Sequence, residues 1–310
     1  MACFQGRSGT YVLVRNHELN PTSSSPGCLT SNSKQYDAFV GDAAGLGGGG
    51  TMTLVVDRNG QVLQDYFSLG GSIRNCAGGP TPWSSWISCE ENTNVPTSAS
   101  SNQVAKKHGY NFECSIDPSK TTGQPLVEMG RFAHEAVAID PVTGYVYQTE
   151  DDRNRSALYR FKPTNTAKAY GALAQGGQLQ AAKIVGVNAG KILALGGSNA
   201  VNAVGDVLQI EWVNLDEPDA APTSGGSGPY VEALSKGCLT MSRGEGIWHH
   251  GNTIAIVDTS FGRSSTGADG RGLGAVWIYT PDTSNPERGT MTLLYAAAAR
   301  VARSAATLFA

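Results

Sequence analysis

Charged residues are scarce in this chain, at 16% of its 310 residues, and neither sign predominates. The 23 lysines and arginines face 26 aspartates and glutamates, which leaves a net charge of −3. A nucleic-acid partner needs a strongly basic surface, because contacts with the phosphate backbone supply most of the affinity. The composition therefore argues against a nucleic-acid-binding protein.

Long apolar runs are also missing. No stretch approaches the roughly 20 apolar residues that a membrane-spanning helix needs, so we expect no membrane association. The first residues, 1–7, lack the apolar segment of a signal peptide, and a strand-like run begins at Thr10. We expect a chain without its own export signal, from a truncated reading frame.

Paired cysteine motifs are absent as well. The chain has six cysteines, none of them in a CxxC pair or at zinc-finger spacing. Disulfides, buried thiols and free thiols all stay open as interpretations, because sequence alone cannot pair cysteines.

Glycine, by contrast, is abundant, with 39 residues spread among β-branched and aromatic runs. This pattern is typical of many short strands separated by turns. Turn signals with an early aspartate and a late glycine occur at 57–60 and 140–144. The strands that we predict are 10–15, 52–57, 61–68, 84–90, 109–114, 135–140, 144–149, 157–162, 206–213, 252–258, 274–280 and 290–295. A short helix is predicted at 168–175, and the fold class is all-β.

Two stretches, 134–163 and 244–281, repeat each other. Each indicates three short strands, and each has a glutamate at its beginning, Glu135 or Glu245. Looser copies of the same unit lie earlier in the chain, near 86–113 and near its start. Repeating units of about 45 to 60 residues with several strands each favour a β-propeller. A plain β-sandwich with coincidental similarity stays open as the alternative.

Polar clusters stand where several predicted strands begin or end. They comprise 16–18, 89–92, 134–135 with 150–152, and 243–245. Carboxylates from the inner ends of different blades would crowd together, and they cannot all stay ionised without cations. Oxygen ligands favour Ca²⁺, Mg²⁺ or Mn²⁺, and a thiolate among them adds a preference for iron. Solvated loop acids are the alternative reading of each cluster.

Two further features bear on a phosphate site. Arg243 lies two residues before Glu245, so both share one face of a strand, and a guanidinium there suits a phosphate; an ordinary ion pair is the alternative. The glycine-rich segment 70–83 places Arg74 and Asn75 either in a pocket or in a tightly packed loop.

Taken together, these segments resemble the PhoX family of alkaline phosphatases. The resemblance is carried, in order, by 13–18, 74–83, 88–91, 108–110, 130–137, 147–152 and 242–246. It implies a monomeric six-bladed β-propeller, periplasmic or extracellular, with a role in phosphate acquisition. It also implies hydrolysis of small phosphomonoesters with Ca²⁺ and Fe³⁺ as cofactors.

The resemblance further implies roles for individual residues. Cys89 is similar to the iron-binding thiolate, and Arg243 is similar to the arginine that holds the phosphate. Glu135 and Glu245 are implied as metal ligands, and Arg243, Glu245 and Cys89 as the catalytic set. The further ligands implied are Glu18, Glu90 and Glu150.

The chain departs from the family pattern at both ends. We expect a single propeller domain at 1–295 whose last blade is missing or incomplete, followed by an atypical Ala-rich tail at 296–310. Two other functions stay open. One is a calcium-dependent propeller lactonase, which needs no thiolate, and the other is a non-catalytic propeller fragment.

Overall fold

A computed structural model describes residues 1–21, 27–31, 34–97 and 103–297. Within these ranges the chain forms mainly antiparallel β-strands, together with a single α-helix and four short 3-10 turns. The 3-10 turns are Arg7–Gly9, Gly41–Ala43, Val127–Met129 and Leu173–Gln175.

The first half of the chain forms two separate antiparallel sheets. The first sheet contains β1 (Ala2–Gln5), β2 (Tyr11–His17), β3 (Gly49–Val56) and β4 (Val62–Ser72), in that order. The second sheet contains β5 (Asn75–Pro80), β6 (Ser85–Glu90) and β7 (Asn111–Ser115). The turn between β3 and β4 forms where the sequence predicts it: Asp57 Oδ1 accepts from the backbone N–H of Asn59 at 2.8 Å, and Gly60 has φ +83°.

The second half forms a nine-stranded sheet. In chain order its elements and their neighbours are β8 (His134–Ile139), β9 (Val146–Glu150), β10 (Leu158–Pro163), β11 (Gly177–Ile184), the short β12 (Lys191–Ile192), β13 (Val207–Asn214), α1 (Gly228–Ser235), the short β14 (Thr240–Met241), β15 (Gly244–His250), β16 (Thr253–Asp258), β17 (Ala275–Pro281) and β18 (Arg288–Ala296). The order in the sheet is β15-β16-β17-β18-β13-β11-β10-β9-β8, while β12 pairs with β14.

The nine-stranded sheet curls until its two ends meet. β8 and β15 are the end strands, yet they lie against each other, and the hydroxyl of Thr149 donates to the backbone oxygen of Glu245 at 2.5 Å. β5 of the second sheet lies against the other side of β8. The strands β5, β8 and β15 therefore run side by side at the centre of the molecule, each as the inner strand of a run of strands that leads outward.

Apolar side chains fill the spaces between successive sheets. Val14 and Leu69 of the first sheet pack with Trp86 and Phe112 of the second. Another cluster joins the second sheet to β8–β10, and includes Ile87, Cys89, Val137 and Phe161. The largest cluster lies inside the curled sheet, between β8–β11 and β15–β18, and includes Tyr147, Trp212, Trp277 and Tyr279. Strands covered on both faces in this way are buried almost throughout, as β6, β8 and β9 are.

Each of the twelve predicted strands coincides with an observed strand to within a few residues. The list of predicted strands lacks β1, β5, β11, β15 and the two-residue strands β12 and β14, although the repeat at 244–281 indicates a strand where β15 lies. The helix predicted at 168–175 is wrong: a 3-10 turn at Leu173–Gln175 is followed at once by β11. The only α-helix of the described ranges is α1, where the side chain of Ser227 caps the N-terminus by accepting from Tyr230 N at 3.2 Å.

The Ala-rich tail predicted at 296–310 falls mostly outside the described residues, which end at 297. Ala296 is the last residue of β18, and Ala297 N donates to the backbone oxygen of Gly274 at 2.9 Å.

Candidate metal and phosphate site

The three inner strands start in the same way. Cys76, Glu135 and Glu245 are each the second residue of their strand, and the pairing register shifts directly after each of them. A bulge bends the strand and turns the side chain at that position out of the regular alternation. Cys76 therefore occupies in β5 the position that the two glutamates occupy in β8 and β15.

A second set of side chains follows directly after three other strands. Glu18 comes after β2, Glu91 after β6, and Asp151 after β9. At the equivalent position after β16 stands Thr259, whose hydroxyl donates to Glu245 Oε1 at 3.0 Å. Both sets of side chains thus lie at one end of the central strands.

The two sets converge on Glu91. Ligand atoms of Glu18, Cys76 and Glu91 all lie within 4.8 Å of one another, and so do ligand atoms of Glu91, Glu135 and Asp151. We call these five residues, together with Glu245, the acid–thiol cluster. Its members offer carboxylate oxygens and one sulfur, and these two groups of the described residues could each hold a metal ion.

Negative charge is poorly compensated in the acid–thiol cluster. Burial, the hydrogen bond with Asp151 and the charge of that residue raise the pKa of Glu91 to about 8, although Arg74 opposes the rise. Burial and the charge of Glu245 raise the pKa of Glu135 to about 7. Carboxyl groups that resist ionisation in this way are stabilised as anions by a bound cation. The donor set therefore fits metal ions.

The thiol of Cys76 belongs to the same network. It donates to Glu135 Oε1 at 3.5 Å, and burial and the charge of Glu135 raise its pKa. A cation must displace this proton before the sulfur can become a ligand.

Two arginines flank the acid–thiol cluster. Arg74 directly precedes β5 and Arg243 directly precedes β15, so the two arginines occupy equivalent positions before these inner strands. Arg74 Nη2 lies 2.8 Å from Glu91 Oε2. Arg243 holds Asp151 with two parallel hydrogen bonds, Nε to Oδ1 at 2.5 Å and Nη2 to Oδ2 at 2.6 Å, and its Nη1 lies 3.2 Å from Glu245 Oε1. Hydrogen bonding to Asp151 raises the pKa of Arg243 further. A planar guanidinium with this reach can hold two oxygens of a phosphate.

Arg74 also has an unusual backbone conformation. Its φ is +50°, in the left-handed region that non-glycine residues seldom adopt. The turn is fixed on both sides, since Arg74 N donates to the backbone oxygen of Leu19 at 2.9 Å and Arg74 O accepts from Glu91 N at 3.0 Å. The strain is thus held next to a carboxylate of the cluster.

The structure brings four of the residues named from the sequence together: Glu18, Glu135, Arg243 and Glu245. Glu90 points away from the cluster. Its Oε1 accepts from Ile73 N at 2.9 Å and contacts His108 Nδ1 at 2.7 Å, while its Oε2 accepts from the backbone N–H groups of 109 and 110. With its oxygens engaged by these donors, Glu90 fastens neighbouring segments, and the geometry does not support its prediction as a metal ligand.

The histidine beside Glu90 is held between two carboxylates. His108 Nε2 lies 3.1 Å from Asp37 Oδ2. Burial alone would lower the pKa of His108, but Glu90 and Asp37 outweigh it and raise the pKa to about 9. A buried imidazolium between two carboxylates fixes the segments that lead to Glu91.

Glu150 and Cys89 are both buried. Tyr159 donates its hydroxyl to Glu150 Oε2 at 2.6 Å, and burial raises the pKa of Glu150 to about 8. Cys89 is fully buried in the apolar cluster that contains Ile87 and Val137, and burial raises its pKa well above the ordinary value. Neither side chain belongs to the two groups of possible ligands within the described part of the chain. The roles of Glu150 and Cys89 as metal ligands therefore stay predictions from the sequence.

Sequence reasoning did not single out Cys76, Glu91 or Asp151 as ligands, although the polar clusters 89–92 and 150–152 contain Glu91 and Asp151. For two of them the predicted residue is the immediate neighbour, Glu90 for Glu91 and Glu150 for Asp151. A signal for Cys76 was present in the spacing, because 74–76 and 243–245 both run arginine, one residue, then a possible ligand.

Sheets arranged around central strands, with ligands at one end of those strands, are the architecture of a β-propeller. A solved structure supports this class: Pseudomonas fluorescens PhoX in complex with vanadate, a transition state analogue, matches with a TM-score of 0.57 at 16% identity. The match covers 94% of this chain and 64% of the solved chain. The β-propeller prediction is thereby confirmed, and the β-sandwich alternative is excluded. The chain spans less than two thirds of the length of that relative.

The family is shown by a separate comparison. The family model described as alkaline phosphatase PhoX matches residues 58–307, so the chain belongs to the PhoX family of alkaline phosphatases. A second solved structure, the PQQ-bound aldose sugar dehydrogenase of Streptomyces coelicolor, matches at 11% identity with a TM-score of 0.32, over 92% of this chain and 76% of the other. No curated protein matched the sequence. In the described ranges, no helix has the length and apolar character needed to cross a membrane.

Proposed function

We propose that this chain hydrolyses phosphomonoesters at the acid–thiol cluster, with cations held by its side chains. The observation that carries the proposal is the position of Glu91. It belongs to both groups of possible ligands and pairs with Arg74, while Arg243 pairs with Asp151 of the second group, so each group has an arginine beside it that can hold an anion. Membership of an alkaline phosphatase family supports the same reaction.

The donor types favour two kinds of cation. Glu91, Glu135 and Asp151 offer only carboxylate oxygens, which suit Ca²⁺. Glu18, Cys76 and Glu91 add a sulfur, which suits iron, proposed as Fe³⁺. Glu245, next to Glu135, is the further ligand proposed. When bound, such cations offset the negative charge of the phosphate and of the departing oxygen.

The arginines bind and orient the substrate. Without a cation, Arg243 is the counter-ion of Asp151 and Glu245. Once those carboxylates neutralise a cation instead, the guanidinium fork becomes available to two phosphate oxygens. Arg74 is placed to contact the phosphate from the side of Glu91. Charge-assisted hydrogen bonds from fixed arginines stabilise the phosphoryl group most when its charge is redistributed in the transition state.

The test is phosphate release from 4-nitrophenyl phosphate. Native protein loaded with Ca²⁺ and iron should release phosphate, and a chelator should abolish the release. Cys76→Ser and Glu245→Gln should each lose at least tenfold in kcat/KM, because each removes a ligand at the cluster. Cys3→Ser is the matched control, since Cys3 is exposed on β1. Full activity in both cluster variants would refute the assignment.

Three further proposals accompany this function. Residues 1–295 form one domain, which predicts a single cooperative unfolding transition; two separated transitions would contradict it. The protein is monomeric, which light scattering of the purified chain tests. It acts in the periplasm or outside the cell in phosphate acquisition, so fractionation of the source cells should recover it with exported proteins.

A further inference from the structure

A cavity of about 150 Å³ lies beside the acid–thiol cluster. Three of the chain segments that carry cluster residues also supply its walls. Thr93 follows Glu91 by two residues, Ala133 precedes Glu135 by two residues, and Asp151 belongs to both the cavity and the cluster. A phosphate held at the cluster would therefore direct its organic part toward this space.

The other walls of the cavity carry hydrogen-bond donors and acceptors beside the apolar Pro222. Asp152 and Arg155 form one side, with Arg155 Nη2 at 3.1 Å from Asp152 Oδ1. The loop before α1 forms the opposite side through Thr223 and Ser227. Arg155 Nη1 donates to the backbone oxygen of Ser224 at 3.1 Å, which ties this loop to the rest of the wall.

We propose that this cavity receives the alcohol part of the phosphomonoester and selects a small polyol, such as glycerol, over an apolar alcohol of the same size. The inference rests on the proposed function and names its substrate class. The wall carboxylates accept hydrogen bonds from substrate hydroxyls, and the guanidinium and the wall hydroxyls donate hydrogen bonds to substrate hydroxyls. An apolar group would displace water from these wall groups without replacing its hydrogen bonds.

Size and charge narrow the class further. The volume equals that of about five water molecules, at roughly 30 Å³ each, which a three-carbon polyol fills. The carboxylates of Asp151 and Asp152 line the cavity. A second anionic group on the alcohol part, as in a bisphosphate or a phosphorylated acid, would be repelled there.

The experiment compares two phosphonates that cannot be hydrolysed, 3,4-dihydroxybutylphosphonate and butylphosphonate. Calorimetry measures their binding to the cation-loaded protein. The dihydroxy compound should bind about tenfold more tightly, as one or two hydrogen bonds to charged partners predict. Glycerol 3-phosphate should likewise exceed butyl phosphate about tenfold in kcat/KM.

Variants of the wall should remove this preference and leave the binding of butylphosphonate unchanged. Asp152→Asn and Arg155→Gln should each bring the two dissociation constants to within about threefold of each other. Thr93→Val, which exchanges one hydroxyl for a methyl group, gives a gentler change in the same direction. Arg288→Gln is the matched control: Arg288 is 45% exposed and lies 3.1 Å from Glu211, while Arg155 is 46% exposed and lies 3.1 Å from Asp152.

The outcomes separate the two proposals. Equal binding of both phosphonates by the native protein, with phosphate release intact, overturns the polyol pocket alone. A preference that survives in Asp152→Asn and Arg155→Gln also overturns it. Absence of phosphonate binding together with absence of phosphate release overturns the proposed function, and the pocket falls with it.

Discussion

Replacing Glu135 by glutamine tests the electrostatics of the cluster through protein stability. Glu135 is only 6% exposed, and burial with the charge of Glu245 raises its pKa from an ordinary value of 4.5 to about 7. An acid whose pKa is raised by folding stabilises the fold in full below pH 4.5. That stability is lost as the pH rises through 7. At about 1.4 kcal/mol for each pKa unit, the loss is about 3 kcal/mol.

Glutamine resembles the protonated acid at every pH. Without cations, Glu135→Gln should therefore match the native protein at pH 4.5 and exceed its free energy of unfolding by about 3 kcal/mol at pH 8.5. Ca²⁺ at pH 8.5 should reverse the order, because the native carboxylate binds the cation and glutamine binds it poorly.

The assay is urea unfolding followed by tryptophan fluorescence, with a chelator present, at both pH values. Glu211→Gln serves as the control, because Glu211 is partly exposed at its ion pair with Arg288 and its loss should change stability by less than about 1 kcal/mol. The same difference between native and Glu135→Gln at pH 4.5 and at pH 8.5 would refute the reasoning.

Three other outcomes follow from the same geometry. Cation binding should release more protons from Glu91 and Glu135 at pH 6 than at pH 9, and the affinity for the cation should rise from pH 6 to pH 9. Calorimetry in two buffers measures the proton release and the affinity, and values that do not change with pH would contradict the expectation. Cys76→Ser should lose bound iron in elemental analysis, whereas Cys89→Ser should keep it and lose about 1–3 kcal/mol of stability; the reverse pattern would restore Cys89 as the ligand. Glu90→Gln should cost about 3–5 kcal/mol in urea unfolding, because it leaves a buried imidazolium short of a partner, and a change below 1 kcal/mol would contradict that role.

Strand alternation and turn chemistry were enough to predict most of the fold. Runs such as 252–258 alternate clearly, since one face of β16 lines the core and the other is open. β5 escaped prediction because its sequence, Asn75–Pro80, contains two glycines and a proline, which carry no strand signal. The backbone there is close to its neighbour: a Cβ on Gly79 would lie 2.0 Å from the backbone oxygen of Val137.

The convergence of the site could also be predicted, but the facing of individual side chains could not. β6 and β9 are buried on both faces, so hydrophobic alternation does not reveal which of two adjacent acids faces the cluster. The structure shows that Glu90 and Glu150 are the last residues of their strands and that both side chains are buried. Glu91 and Asp151, one residue beyond the strand end, are released toward the cluster.

Equivalent positions in the other repeats support this rule. Asp258 is the last residue of β16 and is fully buried, with Oδ2 accepting from Ser242 N at 3.0 Å and Oδ1 accepting from Arg243 N at 3.0 Å. Like Glu90, it fastens the segment that leads into an inner strand. Bulges after Cys76, Glu135 and Glu245 likewise depend on backbone pairing, which a single sequence does not display.

The most direct measurement is a crystal structure of protein loaded with Ca²⁺ and iron, with anomalous scattering recorded at the iron absorption edge. We expect one iron peak bounded by Glu18, Cys76 and Glu91, and calcium density bounded by Glu91, Glu135 and Asp151. Density for neither ion, in crystals grown at a pH above 8 where the carboxyl groups are ionised, would contradict the account.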